Sequence, residues 1–368
     1  MLEVKPQSQS DFFKVTERVY DKSSPFTSLL KSDLIRFLSN KNPLFSKYGQ
    51  GEFFVCYKNG KPVGRITAHI HEKSNKLHNL KRGYFGFFDC ENDFEVASKL
   101  LLSAETWCRS KGMTEIQGNF NLTAMQQVGV MTDGFSNPAY TDQVYSPPHI
   151  AEFLNKSGYK PYFPMSTFEL DLTKFDPKQL LSEKVQNLLS NPEFEARNIK
   201  KKSFLKQIEE VRLILNDGFK DNPMFVPLTS EEFLFQAKDM MWIIDEDLSY
   251  TMYKNGNAIG TVVCIPNLNP FLKNTDSKIK LSTPYYYLKH KKQNKSAVII
   301  FYSVHREFHG LGINPTLLYK MTTSLKDKGY ETLGFTWIAD VNKASLKQVE
   351  KLGGQQLHKL HLFKKEFA

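Results

Sequence analysis

The most informative segment of the sequence is Val304-His305-Arg306-Glu307-Phe308-His309-Gly310-Leu311-Gly312-Ile313-Asn314-Pro315. An apolar run at 296–302 precedes it and an amphipathic stretch follows it, which predicts a glycine-marked turn between a strand and a helix. The first N–H groups of a helix lack an intrahelical partner and carry partial positive charge, so they bind phosphate oxygens well. Glycine lets the backbone approach such a ligand because it has no Cβ. The stretch therefore predicts a pyrophosphate site.

The composition is that of a packed globular protein. The chain has 368 residues, of which 40% are hydrophobic and 13% aromatic, and this length suits two domains with a core each. No apolar stretch approaches the roughly 20 residues that a membrane span needs, and the N-terminus lacks the apolar core of a signal peptide. We expect a cytoplasmic protein.

The cysteines and histidines do not show the spacing of a metal site. The four cysteines are widely separated and form no CxxC pair, and the nine histidines form no HExxH motif. We expect no metal, and we expect the cysteines to be buried free thiols.

The formal net charge of +10 is carried partly by short lysine clusters, for example at 200–202 and 289–292. Such clusters attract phosphates, anionic membranes or RNA, although an ordinary solvated surface explains them equally simply. The charge is compatible with peripheral contact with an anionic membrane, while a nucleic-acid partner is not expected.

The sequence repeats itself in order. Tyr57-Lys58-Asn59-Gly60 returns as Tyr253-Lys254-Asn255-Gly256, and each copy lies between apolar, β-branched runs. Asn-Gly in this setting predicts a hairpin, one joining 52–57 to 63–70 and the other joining 249–253 to 259–265. Helix-ending Lys-Gly pairs and later Lys-x-Gly pairs follow in both halves. The chain therefore reads as a tandem duplication.

Matching long helices support the duplication. Helical spacing of apolar residues predicts a helix at 93–110, started by a capping box of Asn92 and Glu95, and a second helix with Pro315 at its first position. The second half also carries a polar, lysine-rich insertion at 267–295.

The predicted fold class is mixed α/β (α+β), with two tandem domains that are each a mostly antiparallel sheet flanked by helices. The first domain is predicted at 1–172 and the second at 193–368. The linker between them, 173–192, holds a short helical stretch between two X-Pro pairs.

With these features in place, the glycine turn resembles the acyl-CoA pyrophosphate loop of the GNAT N-acyltransferases, V-x-x-x-x-[QR]-G-x-G-[IVL]-[GA]. His309 stands in place of the usual Gln or Arg, and Asn314 in place of the final Gly or Ala. The segment at 342–353 resembles the family's asparagine-led helix, whose asparagine contacts the pantetheine region. The resemblance implies acyl-CoA as donor, no metal, and eight binding residues: Val304, His309, Gly310, Leu311, Gly312, Ile313, Asn314 and Asn342.

A narrower resemblance covers most of the chain. Gly86-Phe87-Phe88, the segment at 118–121, the segment at 129–135 and Gly334-Phe335-Thr336-Trp337 are similar to the YghO-like group of bacterial tandem-GNAT proteins. This group is associated with ceramide synthase-like transfer of a fatty acyl chain from a thioester to a long-chain or sphingoid amine. Gly334 stands where the group usually has glutamate, and Val349 where the family often has a tyrosine acid.

Amide formation from a thioester needs a base, because an amine near pKa 10 must lose a proton before it attacks. His305 and Glu307 lie two residues apart on the predicted strand, so we expect both to face the same side, where either can act as base. Asp340, two residues before Asn342, is a further candidate.

The first half has Asp89-Cys90-Glu91-Asn92 at the position of the glycine turn, and these acidic groups repel a pyrophosphate. We expect one acyl-CoA site, in the second half. Two alternatives stay open: a Fem-like transferase that uses aminoacyl-tRNA, and a non-catalytic acyl-CoA-binding or scaffold protein. The sequence leaves open the acceptor amine, the acyl length, the role of the insertion at 267–295 and the oligomeric state.

Overall fold

The computed structural model of the chain describes residues 2–6, 9–238 and 240–367. Within these ranges thirteen strands form one mixed sheet. The strands are β1 (Leu2–Pro6), β2 (Gly49–Lys58), β3 (Lys61–His71), β4 (Arg82–Cys90), β5 (Glu115–Gly118), β6 (Val130–Asp133), β7 (Lys160–Asp171), β8 (Phe194–Asn198), β9 (Tyr250–Lys254), β10 (Asn257–Pro266), β11 (Ser296–Val304), β12 (Thr332–Ala339) and β13 (Gln355–Glu366).

Helices cover both faces of this sheet. They are α1 (Gln9–Val19), α2 (Lys31–Phe37), α3 (Glu72–His78), α4 (Phe94–Ser110), α5 (Pro148–Lys156), α6 (Glu183–Ser190), α7 (Phe204–Gly218), α8 (Ser230–Ala237), α9 (Met240–Ile243), α10 (Asn269–Asn274), α11 (Thr283–Gln293), α12 (Ile313–Asp327) and α13 (Lys343–Leu352). Short 3-10 or π turns lie at Leu44–Tyr48, Pro177–Leu180, Lys201–Ser203 and Arg306–Phe308.

The strand order confirms the mixed α/β architecture and shows how the two halves join. The order is β1-β2-β3-β4-β5-β13-β7-β12-β11-β10-β9-β8, and β6 also pairs with β13. The last strand of each half is exchanged, since β13 inserts beside β5 of the first half and β7 lies beside β12 of the second. The segments predicted as domains at 1–172 and 193–368 are thus interleaved in the sheet.

The exchanged strands also contribute to each other's cores. Phe168 and Leu170 of β7 pack in the second-half core with Leu317 and Met321 of α12. Phe363 of β13 packs in the first-half core with Leu100 and other residues of α4. Each core is therefore completed by a strand from the other half of the chain.

Each half contains a parallel strand pair, and the pair of the second half opens like a V. In the second half, 296–299 of β11 pair with 332–335 of β12, and the two strands part beyond this point. In the first half, 82–84 of β4 pair in parallel with 115–117 of β5. A diverging pair leaves unpaired backbone groups facing the gap, and these groups are available to a ligand.

Both predicted hairpins are confirmed. Strands β2 and β3 turn at Asn59-Gly60, and β9 and β10 turn at Asn255-Gly256. All four turn residues have positive φ, between 48° and 81°. Asn and Gly adopt this conformation at low cost, which is why the dipeptide favours a tight hairpin.

The predicted helices are present with shifted starts. Helix α4 is capped by Asp93, whose side chain accepts from the N–H of Glu95 at 3.0 Å, so the predicted cap at Asn92 is wrong by one residue. Helix α12 begins at Ile313, so Pro315 is its third residue and not its first. The short helix predicted in the linker is α6, and the insertion at 267–295 forms α10 and α11.

All four cysteines are buried free thiols, as predicted. No helix in the described ranges is long and apolar enough to cross a membrane. The same ranges contain no group of three or more His, Cys, Asp or Glu placed to hold a metal ion.

Deleting residues 355–368 is expected to abolish cooperative unfolding. The deletion removes β13 and with it the buried side chains of Leu360, Leu362 and Phe363. Each is worth about 1.5–3 kcal/mol of burial, and the sum approaches the 5–15 kcal/mol that stabilises a typical domain. Thermal melting followed by circular dichroism measures the effect.

Deletion of residues 1–6, which removes the mostly exposed edge strand β1, is the control and should leave the transition cooperative. A cooperative melt without β13 would contradict the importance of the exchange.

Candidate active site

The gap between β11 and β12 opens into a cavity of about 380 Å³. Its floor is mainly apolar and includes Phe301, Leu318 and Trp337. The rim is formed by the turn after α7 and the start of α13, while Met125 and Asp142 enter from the first half. Cavities of this volume with a mainly apolar lining are typical of small-molecule sites in proteins.

The glycine turn forms a loop of free N–H donors between β11 and α12. Gly310 and Gly312 adopt positive φ values of 80° and 95°, a conformation that side chains disfavour. Gly312 occupies the N-cap position of α12 and so supplies no capping side chain. In the part of the chain that the structure describes, no acceptor is paired with the N–H groups of residues 310–313. The loop thus has the geometry of an anion-binding helix start.

Two contacts hold this loop in place. The His309 ring approaches the Val304 carbonyl with its Nε2 atom at 3.0 Å, which closes the loop on itself. Lys184 of α6 donates from Nζ to the Gly310 carbonyl at 3.2 Å. The loop shape is therefore fixed before any ligand binds, and the linker helix contributes to it.

Asn342 lies at the rim of the cavity and caps α13. Its Oδ1 atom accepts from the N–H of Ser345 at 3.2 Å, and no acceptor among the described residues pairs with its amide Nδ2. Nearby, Gln348 donates to the hydroxyl of Tyr302 at 3.2 Å, and burial raises the pKa of Tyr302 well above its usual value. Tyr302 is therefore a neutral phenol.

The corresponding gap in the first half is closed by the protein itself. The cavity there is only about 40 Å³, and the segment at 26–29 fills its mouth. Phe26 stacks on Tyr20 with ring centroids 3.7 Å apart, and the Tyr20 hydroxyl donates to Asp89. Asp89 also forms a buried ion pair with Arg65 at 2.7 Å. The space left holds about one or two waters and no larger ligand.

The helix start in the first half is also occupied. Asp93 caps α4, and its carboxylate is paired with Lys58 Nζ at 2.8 Å. The hydrogen bond and charge of Lys58 lower the pKa of Asp93. A carboxylate of the chain thus takes the position that a phosphate oxygen would need, in contrast to Gly312.

The predicted catalytic residues lie around the cavity and not in its lining. His305 points its Nδ1 atom at Asp217 at 3.0 Å. Glu307 is exposed on a 3-10 turn, because β11 ends at Val304. The expectation that His305 and Glu307 face the same side of one strand is therefore wrong. Asp340 is paired with Lys359 at 2.7 Å.

Gly334 is explained by close packing. A Cβ on Gly334 would meet the ring of Tyr140 at 2.7–2.8 Å, so a side chain cannot be accommodated there without moving the ring. The Tyr140 hydroxyl donates to Glu169, which is the cross-strand partner of Gly334 on β7. The position of the missing glutamate is thus covered by a tyrosine that comes from the first half.

Asp142 is a candidate functional residue that the sequence analysis missed. It lines the cavity with a φ of +66°, a conformation that costs non-glycine residues energy. Its neighbours are anchored in the second half: Thr141 donates to Asn267 at 3.0 Å, and Gln143 donates to the Phe335 carbonyl at 2.9 Å. These long-range anchors fix the strained residue at the mouth of the gap, and no local pattern signals them.

The carboxyl group of Asp142 is electrostatically unusual. Burial raises its pKa to about 7, and the described residues place no hydrogen-bond donor on it. The other titratable groups that line the cavity are Asp221, which is paired with Arg306 at 3.0 Å, and Tyr302. Asp142 is therefore the lining group whose charge changes near neutral pH.

Comparisons with known proteins agree with this geometry. Residues 211–353 match the acetyltransferase (GNAT) family. The chain is 26% identical over 374 residues to bacterial ceramide synthase of Caulobacter vibrioides, covering 98% of this chain and 95% of that protein. It is 24% identical over 341 residues to protein YghO of Escherichia coli, covering 89% of this chain and 85% of that protein. Residues 211–353 therefore form a GNAT domain.

Solved structures share the fold of the whole chain. A tandem GNAT protein from the clavulanic acid biosynthesis pathway superposes with a TM-score of 0.59 at 12% identity, over 100% of this chain and 98% of that one. A GCN5-related N-acetyltransferase from Sphaerobacter thermophilus has a TM-score of 0.55 at 11% identity, over 99% of this chain and 95% of that one. At such identities the likeness concerns the tandem fold alone.

Replacing Asp142 by Asn is expected to stabilise the protein increasingly as the pH rises. The folded protein holds the carboxyl proton up to a pKa of about 7, against 3.8 for an ordinary Asp, so wild-type stability falls as the pH rises through this window. At about 1.4 kcal/mol per pKa unit, the advantage of the Asn variant should grow by about 2–3 kcal/mol between pH 5 and pH 8.

Urea unfolding of both proteins at the two pH values measures this difference. Asp221→Asn removes the other carboxylate of the cavity, which is largely exposed, and serves as the control. An advantage of Asp142→Asn that does not change with pH would show that the carboxyl group is not held protonated.

Proposed function

We propose that the protein is an acyl-CoA-dependent N-acyltransferase that transfers an acyl group from the thioester to an amine, with a fatty acyl chain and a long-chain or sphingoid amine as the substrate class. The observation that carries the proposal is the open gap between β11 and β12, which ends at a loop of unpaired N–H groups at 310–313. The equivalent gap of the first half is filled, so one donor site is expected per chain.

The donor fits the residues that surround the gap. Its pyrophosphate would take the N–H groups of Gly310 to Ile313, where the helix dipole of α12 favours negative charge. Its pantetheine amides would pair with the free edge of β11 beyond Ile299, and the Asn342 amide is placed at the rim to donate to a pantetheine carbonyl. The bound donor supplies a thioester carbonyl as the site of attack.

The apolar cavity and the relatives favour a fatty substrate. The lining aromatic and aliphatic side chains are suited to a hydrocarbon chain, whose transfer from water is favourable by about 0.8 kcal/mol per methylene. The similarity to a protein named bacterial ceramide synthase points the same way, because a ceramide is an N-acylated sphingoid base.

Peripheral contact with an anionic membrane is part of the proposal. The insertion exposes a patch, the α11 surface, made of Ile279, Leu281, Tyr285, Leu288, Lys289, Lys291 and Lys292. Leu281 is fully exposed, and Leu288 of α11 is 66% exposed. In the described part of the chain the three lysines have no ion-pair partner. Apolar side chains beside free lysines are the combination that binds the surface of an anionic bilayer.

The donor site is tested by calorimetric titration with palmitoyl-CoA and acetyl-CoA. We expect micromolar binding of a long acyl-CoA to the wild type and a loss of at least about tenfold in Gly310→Glu, because the new carboxylate repels the pyrophosphate. A preference for the long chain would favour fatty acyl transfer over acetyl transfer.

Gly112→Glu is a closely matched control. Gly112 and Gly310 have φ values of 77° and 80°, and neither has an atom within 4 Å of an added Cβ. The two variants therefore carry the same backbone strain and the same charge change. Equal affinity of both variants for palmitoyl-CoA, or no binding to the wild type, would contradict the proposed donor site.

Vesicle sedimentation tests the α11 surface. Binding is expected to vesicles that contain phosphatidylglycerol, to weaken with added salt, and to be negligible with pure phosphatidylcholine. Leu288→Glu should weaken it at least about tenfold, since burial of a leucine is worth about 1.5–3 kcal/mol. The control is Leu102→Glu on α4, where the leucine is 62% exposed against 66% for Leu288. Equal binding of the two variants would exclude this surface.

A further inference from the structure

We infer that Asp142, delivered by the first half of the chain, is the general base that deprotonates the acceptor amine in the cleft of the second half. This inference rests on the proposed function and assigns the acid–base role within it. It gives the first half, which has no donor site of its own, a direct part in the chemistry.

The placement of Asp142 is the first support. Asp142 is one of the residues that line the cavity between β11 and β12, together with Phe335 and Trp337 of β12. The backbone there has a φ of +66°, and such a conformation persists only where the surroundings over-determine it. Functional sites are where strain of this kind concentrates.

The anchors on either side supply that constraint. Thr141 accepts from the N–H of Leu268 at 2.6 Å, and Gln143 donates to the Phe335 carbonyl at 2.9 Å. The Tyr140 ring lies against Gly334, where any Cβ would collide with it. Contacts of Tyr140, Thr141 and Gln143 to β12 and to the start of the insertion thus hold this loop, and within residues 140–143 Asp142 is the one that lines the cavity.

The chemistry of the group is the second support. A base works best when its pKa lies near the working pH, and burial raises the pKa of Asp142 to about 7. The facing groups do not compete with it: Tyr302 is a neutral phenol bonded to Gln348, and Asp221 is paired with Arg306 at the rim. Among the described residues that line the cavity there is no Lys, Arg or His.

The proton and electron balance of the step is complete. Asp142 takes one proton from the ammonium group, and the nitrogen lone pair forms the bond to the thioester carbonyl carbon. The carbon–sulfur bond then breaks with its electrons on sulfur. The second nitrogen proton passes to the thiolate, so the products are the amide and the free thiol, and Asp142 releases its proton to solvent. Thiols have a pKa near 8.5, so the leaving group needs little assistance.

His305 is the rival base, and its position argues against it. Its ring is oriented by Asp217, outside the residues that line the cavity. The N–H of Arg306 and the charge of His305 lower the pKa of Asp217, so the pair is a stable surface interaction at the strand end. The pair braces the start of the glycine loop and does not face the gap.

The test compares wild type, Asp142→Asn, Asp142→Glu and His305→Ala with palmitoyl-CoA and sphinganine, following thiol release across pH. Asp142→Asn should lower kcat by about 10²–10⁴-fold and remove the acidic limb of kcat/KM near pH 7, with palmitoyl-CoA affinity unchanged. Asp142→Glu restores a carboxylate and should recover part of the rate. His305→Ala should retain the acidic limb.

The measurement of palmitoyl-CoA binding separates failure of the proposed function from failure of the base assignment. Failure of palmitoyl-CoA to bind the wild type overturns the proposed function, whereas normal binding with full turnover by Asp142→Asn overturns the assignment of the base. Loss of the acidic limb in His305→Ala overturns it as well. If sphinganine is not turned over, the titration of the Asp142 carboxyl group is measured directly, by infrared difference spectra of wild type against Asp142→Asn across pH. A midpoint near pH 4 would exclude Asp142 as the base for any acceptor amine.

Discussion

The site depends on where the hydrogen bonds between β11 and β12 stop. The two strands are paired only as far as Ile299 and Phe335, after which β11 follows β10 to Val304 and β12 follows β7. Each strand is thus held by a different neighbour, and the gap between them cannot close. The loop at 310–313, the cavity and the cap at Asn342 are all placed by this divergence.

The first half has the same parallel strand pair, but its own residues fill the space beside it. In the first half, Phe26, the ion pair of Arg65 with Asp89 and the carboxylate of Asp93 occupy the positions that a donor would need. In the second half the same positions hold glycines and free N–H groups. The closed half instead supports the open one, since it supplies β7, the ring of Tyr140 and the acid of Asp142.

Features set by neighbouring residues could be predicted from the sequence. The Asn-Gly hairpins, the long helices and the glycine loop depend on local backbone preferences, and they appear where expected to within a few residues. His305 and Glu307 were misplaced because the strand ends at Val304, a point that tertiary pairing with β10 determines. Asp142 was missed because its position depends on contacts of Thr141 and Gln143 with residues far away in the chain. The exchange of β7 and β13 could not be predicted from the sequence either. The two repeats are similar, so their sequences do not specify which half each last strand pairs with.

The exchange has a consequence for how the protein is made. Strand β13 belongs between β5 and β7, yet both of these strands leave the ribosome long before it. At about 5–20 residues per second, roughly 10–40 s separate the completion of β7 from that of β13. Throughout this interval the nascent chain presents unpaired strand edges, which readily join to other chains. Correct assembly in the cell therefore depends on keeping each growing chain away from its neighbours until β13 has been made.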